Sequence, residues 1–147
     1  MTRRELREHC FKLLFCADFY QAEEVEEQME QYFTEPKEED TTPEGGDEVL
    51  HSPALDLFDG GYVKTKVEKI MEKIPELDEK LNGIAQGWKT KRMGKVELTI
   101  LRLALYEILY DEDVPEKVAI NEAVELAKKF GGDDSSSFVN GILAKLV

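Results

Sequence analysis

Apolar residues recur at helical spacing through most of the chain. The first stretch, from about Thr2 to about Phe19, is apolar on two faces, which predicts a helix packed on both sides. A denser stretch, from about Val96 to Tyr110, is apolar nearly all round and predicts a central buried helix. The alternating pattern typical of β-strands does not occur in the sequence.

Prolines, glycines and polar clusters divide the apolar pattern into seven predicted helices. Besides the first helix and the central one, helices are expected at about Ala22–Phe33, Ala54–Ile74, Leu77–Trp88, Pro115–Phe130, and from Asp133 or Asp134 to the C-terminus. Pro75 is expected to separate the third helix from the fourth, because proline has no amide hydrogen to donate within a helix. The sixth helix is expected to end at Phe130-Gly131-Gly132, where glycine would supply a left-handed C-terminal cap. The sequence therefore predicts an all-α, seven-helix bundle.

At 147 residues the chain has the size of one ordinary domain. No apolar run approaches the roughly 20 residues that span a bilayer, and the first residues do not lead into an apolar secretory segment. A cytoplasmic protein without a membrane segment is therefore expected. Cys10 and Cys16 lie six positions apart on one predicted helix. Their side chains would point apart there, so both are expected to be free thiols.

The net charge of −13 argues against a nucleic-acid partner at first sight. Its distribution changes this conclusion, because positions 1–50 carry 5 Lys and Arg against 15 Asp and Glu, while positions 51–147 carry 14 against 17. Much of the excess lies in the segment 35–48, EPKEEDTTPEGGDE. Its prolines, glycines and repelling acids predict a mobile solvated loop. The acidic total therefore says little about a binding face.

Three arginines crowd the first two turns of the first predicted helix: Arg3, Arg4 and Arg7. Cations at this end oppose the helix dipole, so helix stability does not explain them. One interpretation is a solvated helix start partly neutralised by Glu5 and Glu8. The other is a guanidinium cluster for phosphates, since the planar fork of arginine fits phosphate in a bidentate manner.

Arg102 lies in the middle of the central apolar helix, on one stripe with Tyr106. A structural arginine paired with a carboxylate is one interpretation, because a buried unpaired charge is costly. The alternative is a cation and an aromatic ring presented together to RNA.

Asp134 and Phe138 stand one turn apart at the start of the last predicted helix. Asp134 as a helix cap and Phe138 as ordinary core are the simplest interpretations. An edge aromatic beside an acid would also suit stacking on an unpaired base, or contact with a protein partner.

Catalytic motifs are lacking in the sequence. His9 and His51 are the only histidines, and neither a glycine-rich phosphate loop nor a nucleophile elbow occurs. No ligand set has zinc-like spacing. We therefore expect no enzymatic activity, no cofactor and no metal.

Several short sequence motifs occur in an order and spacing that resemble the NusB family. They run from Trp88 through the string RLALYE at 102–107 and Val114-Pro115 to the string FVNG at 138–141. The Arg-rich first helix matches fairly, whereas residues 20–60 match poorly. The resemblance implies one NusB-like RNA-binding domain of two packed three-helix-type subdomains, at about 1–74 and 75–147.

The resemblance also implies a function. Family members bind the boxA element in the leader of ribosomal RNA operons, usually as a heterodimer with the ribosomal protein NusE, and help RNA polymerase to read through terminators. Matching positions here imply RNA contacts by Arg3, Arg4, Arg7, Arg102, Asp134 and Phe138. Phe15 and Glu97 match positions on the NusE-facing surface. A homodimer is an open alternative to the heterodimer.

Two features depart from the family pattern. Phe15 stands where the family often has tyrosine, so a hydrogen bond through that hydroxyl is absent. The acidic segment 35–48 is unusual, and our hypothesis is that it competes with RNA for the arginines, so that binding is weak alone and restored by NusE.

Two rival functions remain. One is a helical protein–protein adaptor in ribosome biogenesis that binds little RNA of its own, which the charge of −13 favours. The other is a module linked to a ribosomal RNA methyltransferase, against which the lack of a dinucleotide-type glycine motif counts. The RNA interpretation requires the arginines and the edge aromatic to converge on one positive patch.

Overall fold

The computed structural model describes residues 1–17, 24, 27, 57–85, 90 and 93–146. Over these residues the chain forms five α-helices and no β-strand, which confirms the all-α class. The helices are α1 (Arg3–Ala17), α2 (Leu57–Ile84), α3 (Lys95–Tyr110), α4 (Glu116–Phe130) and α5 (Ser135–Ala144). Among the described helices, none combines the length and the apolar character that crossing a membrane requires.

The predicted count of seven helices is not supported. The predicted helix at Ala22–Phe33 lies almost entirely outside the described residues, and the acidic segment 35–48 lies wholly outside them. The predicted helices at Ala54–Ile74 and Leu77–Trp88 correspond to a single helix, α2, which continues through Pro75 and ends at Ile84.

Core packing explains why α2 does not end at Pro75. Ile70, Leu77 and Leu81 recur on one face of α2 and are fully buried. A proline inside a helix costs about 3 kcal/mol, whereas burying one large aliphatic side chain stabilises by about 1.5–3 kcal/mol. Buried residues on both sides of Pro75 therefore keep α2 in one piece.

Helix α3 is the centre of the described fold. It contacts each of the other four described helices, and Ile100, Leu101 and Leu105 are fully buried. This confirms the prediction of a central buried helix. Helices α1, α2 and α3 contact one another, and so do α3, α4 and α5, so two three-helix groups share α3. The expected subdomain boundary at residues 74 and 75 falls within α2, and the division into subdomains stays a prediction.

Helix α1 is apolar on two faces, as its pattern predicts. Cys10 and Leu14 are buried on one of them. On the other, Phe11 is buried and stacks on Phe130 of α4, with ring centroids 5.0 Å apart. The two cysteines are free thiols as expected, with Cys10 buried and Cys16 exposed.

The expected left-handed glycine cap is wrong, because Gly132 has no left-handed φ and neither has Gly131. The backbone of Gly131 is extended, with φ −99° and ψ −177°, which any residue can adopt. Close approach is what requires glycine here, because a Cβ atom on Gly131 would lie 2.8 Å from the carbonyl oxygen of Ala127 and would also collide with Ser135. The missing side chain lets the turn between α4 and α5 fold tightly.

Candidate nucleic-acid interface

Arg7 lies inside the fold, where it joins a buried cluster of four charges. Its Nε donates to Glu107, at 3.0 Å from Oε2, and Nζ of Lys66 lies 2.7 Å from the same oxygen. Nζ of Lys66 also lies 3.4 Å from Asp111. Burial alone would lower the pKa of Lys66, but the carboxylate of Glu107 raises it above its ordinary value. Two cations and two carboxylates make up this cluster, and Glu122 lies at its edge, 3.8 Å from Nη1 of Arg7.

Arg4 is held at the surface by a carboxylate of α4. Its Nε and Nη2 donate to the two carboxylate oxygens of Glu122, at 3.0 Å and 2.8 Å. The hydrogen bond from Arg4 lowers the pKa of Glu122 and raises that of Arg4. The side chain of Arg4 is 61% exposed, against 8% for Arg7. Glu122 thus occupies the bidentate position that a phosphate would take on an accessible guanidinium.

Arg3 is exposed beside Arg4 at the start of α1. Within the part of the chain that the structure describes, its guanidinium forms no ion pair. Successive residues of a helix lie about 100° apart around the axis. Arg3 and Arg4 therefore face different sides of the N-terminal end of α1, which we call the head of α1.

Arg102 is a structural arginine in this conformation. Its Nε and Nη2 donate to the carboxylate of Asp78 in α2, at 2.8 Å and 2.7 Å. It lies beside Leu14 and Ala17, near the C-terminal end of α1. At a rise of about 1.5 Å per residue, this end is roughly 20 Å from Arg4. The structure therefore does not bring Arg102 to the other arginines.

Asp134 and Phe138 lie together at the start of α5. The carbonyl oxygen of Asp134 accepts a hydrogen bond from the backbone amide of Phe138, at 3.1 Å. Asp134 occupies the N-cap position, but its exposed carboxylate makes no capping hydrogen bond. Phe138 is half-buried and packs against the core. Both the acid and part of the ring are thus presented at one edge of α5.

A groove of about 600 Å³ joins the head of α1 to the first half of α5. Its lining is mostly polar and charged: two cations, Arg4 and Lys128, lie there with two carboxylates, Glu122 and Glu125, and with the polar side chains of Asn121, Ser136, Ser137 and Asn140. We call it the Arg4 groove. Its hydroxyl, amide and amino groups can bond to ribose and phosphate oxygens. Apart from Arg4, sequence reasoning missed these residues, although two adjacent lysines in the last turn of α4 were a signal for them.

Helical geometry separates the Arg4 groove from the Asp134–Phe138 pair. At about 100° per residue, Ser136 and Asn140 share one flank of α5, whereas Asp134 and Phe138 share another. The predicted convergence of the arginines and the edge aromatic on one patch is therefore not observed. What the structure places together is the exposed head of α1 and the polar flank of α5.

The two expected partner residues lie on different helices. Phe15 is half-buried on α1 and stacks on Phe11, with ring centroids 6.0 Å apart. Glu97, in the first turn of α3, accepts a hydrogen bond from the hydroxyl of Ser135. That hydroxyl in turn accepts one from the backbone amide of Gly132, at 2.9 Å. Glu97 thus anchors the turn between α4 and α5 to α3.

Comparison with known proteins agrees with this architecture. The NusB family model matches residues 4–147. The transcription antitermination protein NusB of Lachnoclostridium phytofermentans is 50% identical over 147 residues, which cover 100% of this chain and 99% of the relative. The NusB of Agathobacter rectalis is 44% identical, over 99% of this chain and 98% of its own length. The name that these relatives carry describes a transcription factor and not an enzyme.

Solved structures show the same fold. NusB of T. maritima superposes with a TM-score of 0.75 at 29% identity, covering 99% of this chain and 90% of its own. A NusB chain crystallised with NusE and double-stranded RNA gives a TM-score of 0.64 at 21% identity, covering 99% of this chain and 97% of its own. With the family model matched over nearly the whole length and relatives at up to 50% identity, the chain belongs to the NusB family.

Proposed function

We propose that this chain is an RNA-binding transcription antitermination factor that binds boxA-like RNA of ribosomal RNA operons together with the ribosomal protein NusE. Relatives named as transcription antitermination proteins match its full length, which supports the antitermination role. The one observation that carries RNA binding is the exposed Arg4, held in a bidentate manner by Glu122 beside a polar groove. In this proposal the bound strand takes the place of Glu122.

At the level of residues, Arg3 and Arg4 contact phosphates, and Asp134 with Phe138 receives an unpaired base at the edge of α5. Arg7 and Arg102 act as positioning residues through their carboxylate partners. This assignment follows from accessibility, because a phosphate reaches the side chain of Arg4, at 61% exposure, and not that of Arg7, at 8%.

The protein partners belong to the same proposal. NusE contacts the surface around Phe15 and Glu97, and the complex joins the RNA polymerase antitermination complex in the cytoplasm. Size-exclusion chromatography of the chain alone and with NusE distinguishes a homodimer from the heterodimer.

RNA binding is tested by fluorescence anisotropy of a labelled boxA-like RNA, with and without NusE, at several salt concentrations. Arg4→Ala should weaken binding and reduce the slope of log affinity against log salt by about 0.7, the value for one phosphate contact on a single strand. Lys80→Ala is the matched control, because Lys80 is an exposed cation on α2 outside the Arg4 groove. Unchanged affinity and slope for Arg4→Ala would refute the contact.

One observation favours a second function, that of a protein–protein adaptor with little RNA binding. Three of the expected RNA-binding arginines already have carboxylate partners: Arg4, Arg7 and Arg102. The same titration separates the two functions, because an adaptor would bind NusE and leave the RNA anisotropy unchanged.

A further inference from the structure

A second and larger cleft, of about 830 Å³, opens on the other side of the head of α1. It lies between α1, the first half of α2, the end of α3 and the loop that follows α3. Its volume falls within the roughly 300–1,000 Å³ of ligand-binding sites. We call it the tyrosine cleft, after Tyr62, Tyr106 and Tyr110, which line it together with Arg3 and Lys69.

The aromatic rings of the tyrosine cleft are accessible. Tyr62 and Tyr110 are each 43% exposed, whereas Tyr106 is 9% exposed and lies behind Tyr110, with ring centroids 5.4 Å apart. The ammonium group of Lys73 lies 5.0 Å from the ring centre of Tyr110. Exposed aromatic faces beside cations are what unpaired nucleobases stack on in RNA-binding proteins.

The floor of the tyrosine cleft is electrically balanced. The cluster described above lies there: its two cations match its two carboxylates, and the charge of Glu122, at 3.8 Å from Arg7, is matched by that of Arg4. At the rim, the N-terminal ammonium group of Met1 pairs with Asp59, at 3.7 Å. Because these charges are paired, the electrostatic potential in the cleft depends on the remaining charged residues.

The remaining cations are Arg3 and Lys69, and the remaining acid is Asp113. Among the residues that the structure describes, neither Arg3 nor Lys69 forms an ion pair, and both are exposed. The cleft of a chain with net charge −13 thus carries a small positive excess at its mouth. Such an excess, combined with accessible rings, suits a phosphate joined to a base.

We propose that the tyrosine cleft binds one nucleotide of single-stranded RNA, with the base against Tyr62 and Tyr110 and the phosphate between Arg3 and Lys69. This inference rests on the proposed RNA-binding function and extends it to a second site. Arg3 and Arg4 are neighbours that face the tyrosine cleft and the Arg4 groove respectively. A strand that crosses the head of α1 can therefore occupy both.

Binding to the complex of this chain with NusE tests the inference. The probe is a labelled boxA-like RNA carrying a few flanking nucleotides at each end. Tyr62→Ala and Tyr110→Ala should each weaken its binding about 5- to 150-fold, the range for losing one stacked base. Lys69→Ala should reduce the salt slope by about 0.7, whereas Lys80→Ala on the same helix should change neither quantity.

Two further measurements make the result specific. Tyr110→Phe keeps the ring and loses only the hydroxyl that donates to Glu76, at 3.1 Å, so it should bind RNA like the unchanged chain. Photocrosslinking of RNA that contains 5-iodouridine should label Tyr62 or Tyr110, as mapped by mass spectrometry. Thermal unfolding followed by circular dichroism checks that each variant is folded.

The outcomes separate this inference from the proposed function. If Arg4→Ala weakens RNA binding while the tyrosine and Lys69 variants do not, the tyrosine cleft is overturned and the RNA-binding function stands. If the tyrosine variants weaken only NusE binding, the cleft holds a protein and the inference is overturned as well. If the unchanged complex does not bind the RNA at all, both proposals fail.

Discussion

Neutralising Glu107 tests how much the buried ion pairs contribute to the stability of the fold. Its carboxylate is 1% exposed and bonds both Arg7 and Lys66, so it joins α1 and α2 to α3. Glu107→Gln keeps the size of the side chain and removes the charge. Both cations would then remain in the interior with two more distant carboxylates, Asp111 at 3.4 Å from Lys66 and Glu122 at 3.8 Å from Arg7. We expect a large loss of stability.

The magnitude follows from burial. The side chains of Arg7 and Lys66 are 8% and 7% exposed, so water screens the lost interaction little. Removing one partner of a buried ion pair typically costs about 3–5 kcal/mol. A domain of this size unfolds with roughly 5–15 kcal/mol, so the variant would lose about a fifth of its stability or more.

Urea denaturation followed by circular dichroism measures this loss. The matched control is Glu125→Gln, which neutralises a 49% exposed carboxylate paired with the exposed Lys128 at 3.8 Å and should cost at most about 1 kcal/mol. A triple variant, Glu107→Leu with Arg7→Met and Lys66→Met, should recover most of the stability, because apolar residues of similar volume can replace a buried ionic cluster. A loss for Glu107→Gln no larger than that of the control would refute the reasoning.

Three further predictions concern single side chains. Gly131→Ala should lower the free energy of unfolding by about 1–3 kcal/mol through overpacking. Gly132→Ala is the control and should not lower it, because no atom lies within 4 Å of a Cβ at that position. Equal melting temperatures of the two variants would contradict this prediction. Iodoacetamide at pH 8 should modify Cys16 and spare Cys10 in the folded chain, since burial raises the pKa of Cys10 to about 12; mass spectrometry would detect the contrary result. Burial lowers the pKa of His9 below its ordinary 6.5, so the unfolded chain takes up the proton more readily and stability should fall as pH drops below about 6.5. An NMR titration midpoint of His9 at or above 6.5 would contradict that prediction.

The sequence predicted those parts of the fold that depend on local pattern. Helix α3 is apolar nearly all round, and a helix of that kind has to be central wherever its neighbours lie. Pro75 shows where local reasoning fails, because its effect on the backbone is local while the packing of Leu77 and Leu81 that outweighs it is tertiary. Gly131 was identified correctly as essential to a turn, but for close packing and not for a left-handed backbone.

The candidate site was less predictable for a related reason. The charges nearest to Arg7 in sequence suggested a solvated helix start, but its partner Glu107 lies 100 positions away. The pairing of Arg102 with Asp78, 24 positions away, follows one of its two interpretations, and the sequence could not choose between them. Charge partners that only folding brings together cannot be read from spacing, and they decide which arginines are accessible.

The carboxylate partners also determine which arginines are available to bind RNA. A phosphate that replaces Glu122 on Arg4 breaks an exposed pair that contributes at most about 1 kcal/mol, and the new charge-assisted contact restores it. A phosphate that replaced Glu107 on Arg7 would leave a buried carboxylate with one cation fewer, at a cost of about 3–5 kcal/mol. The salt dependence of RNA binding should therefore come from Arg3, Arg4 and Lys69 and not from Arg7. The acidic chain binds RNA, on this argument, by exchanging a surface carboxylate for a phosphate while its buried ion pairs stay intact.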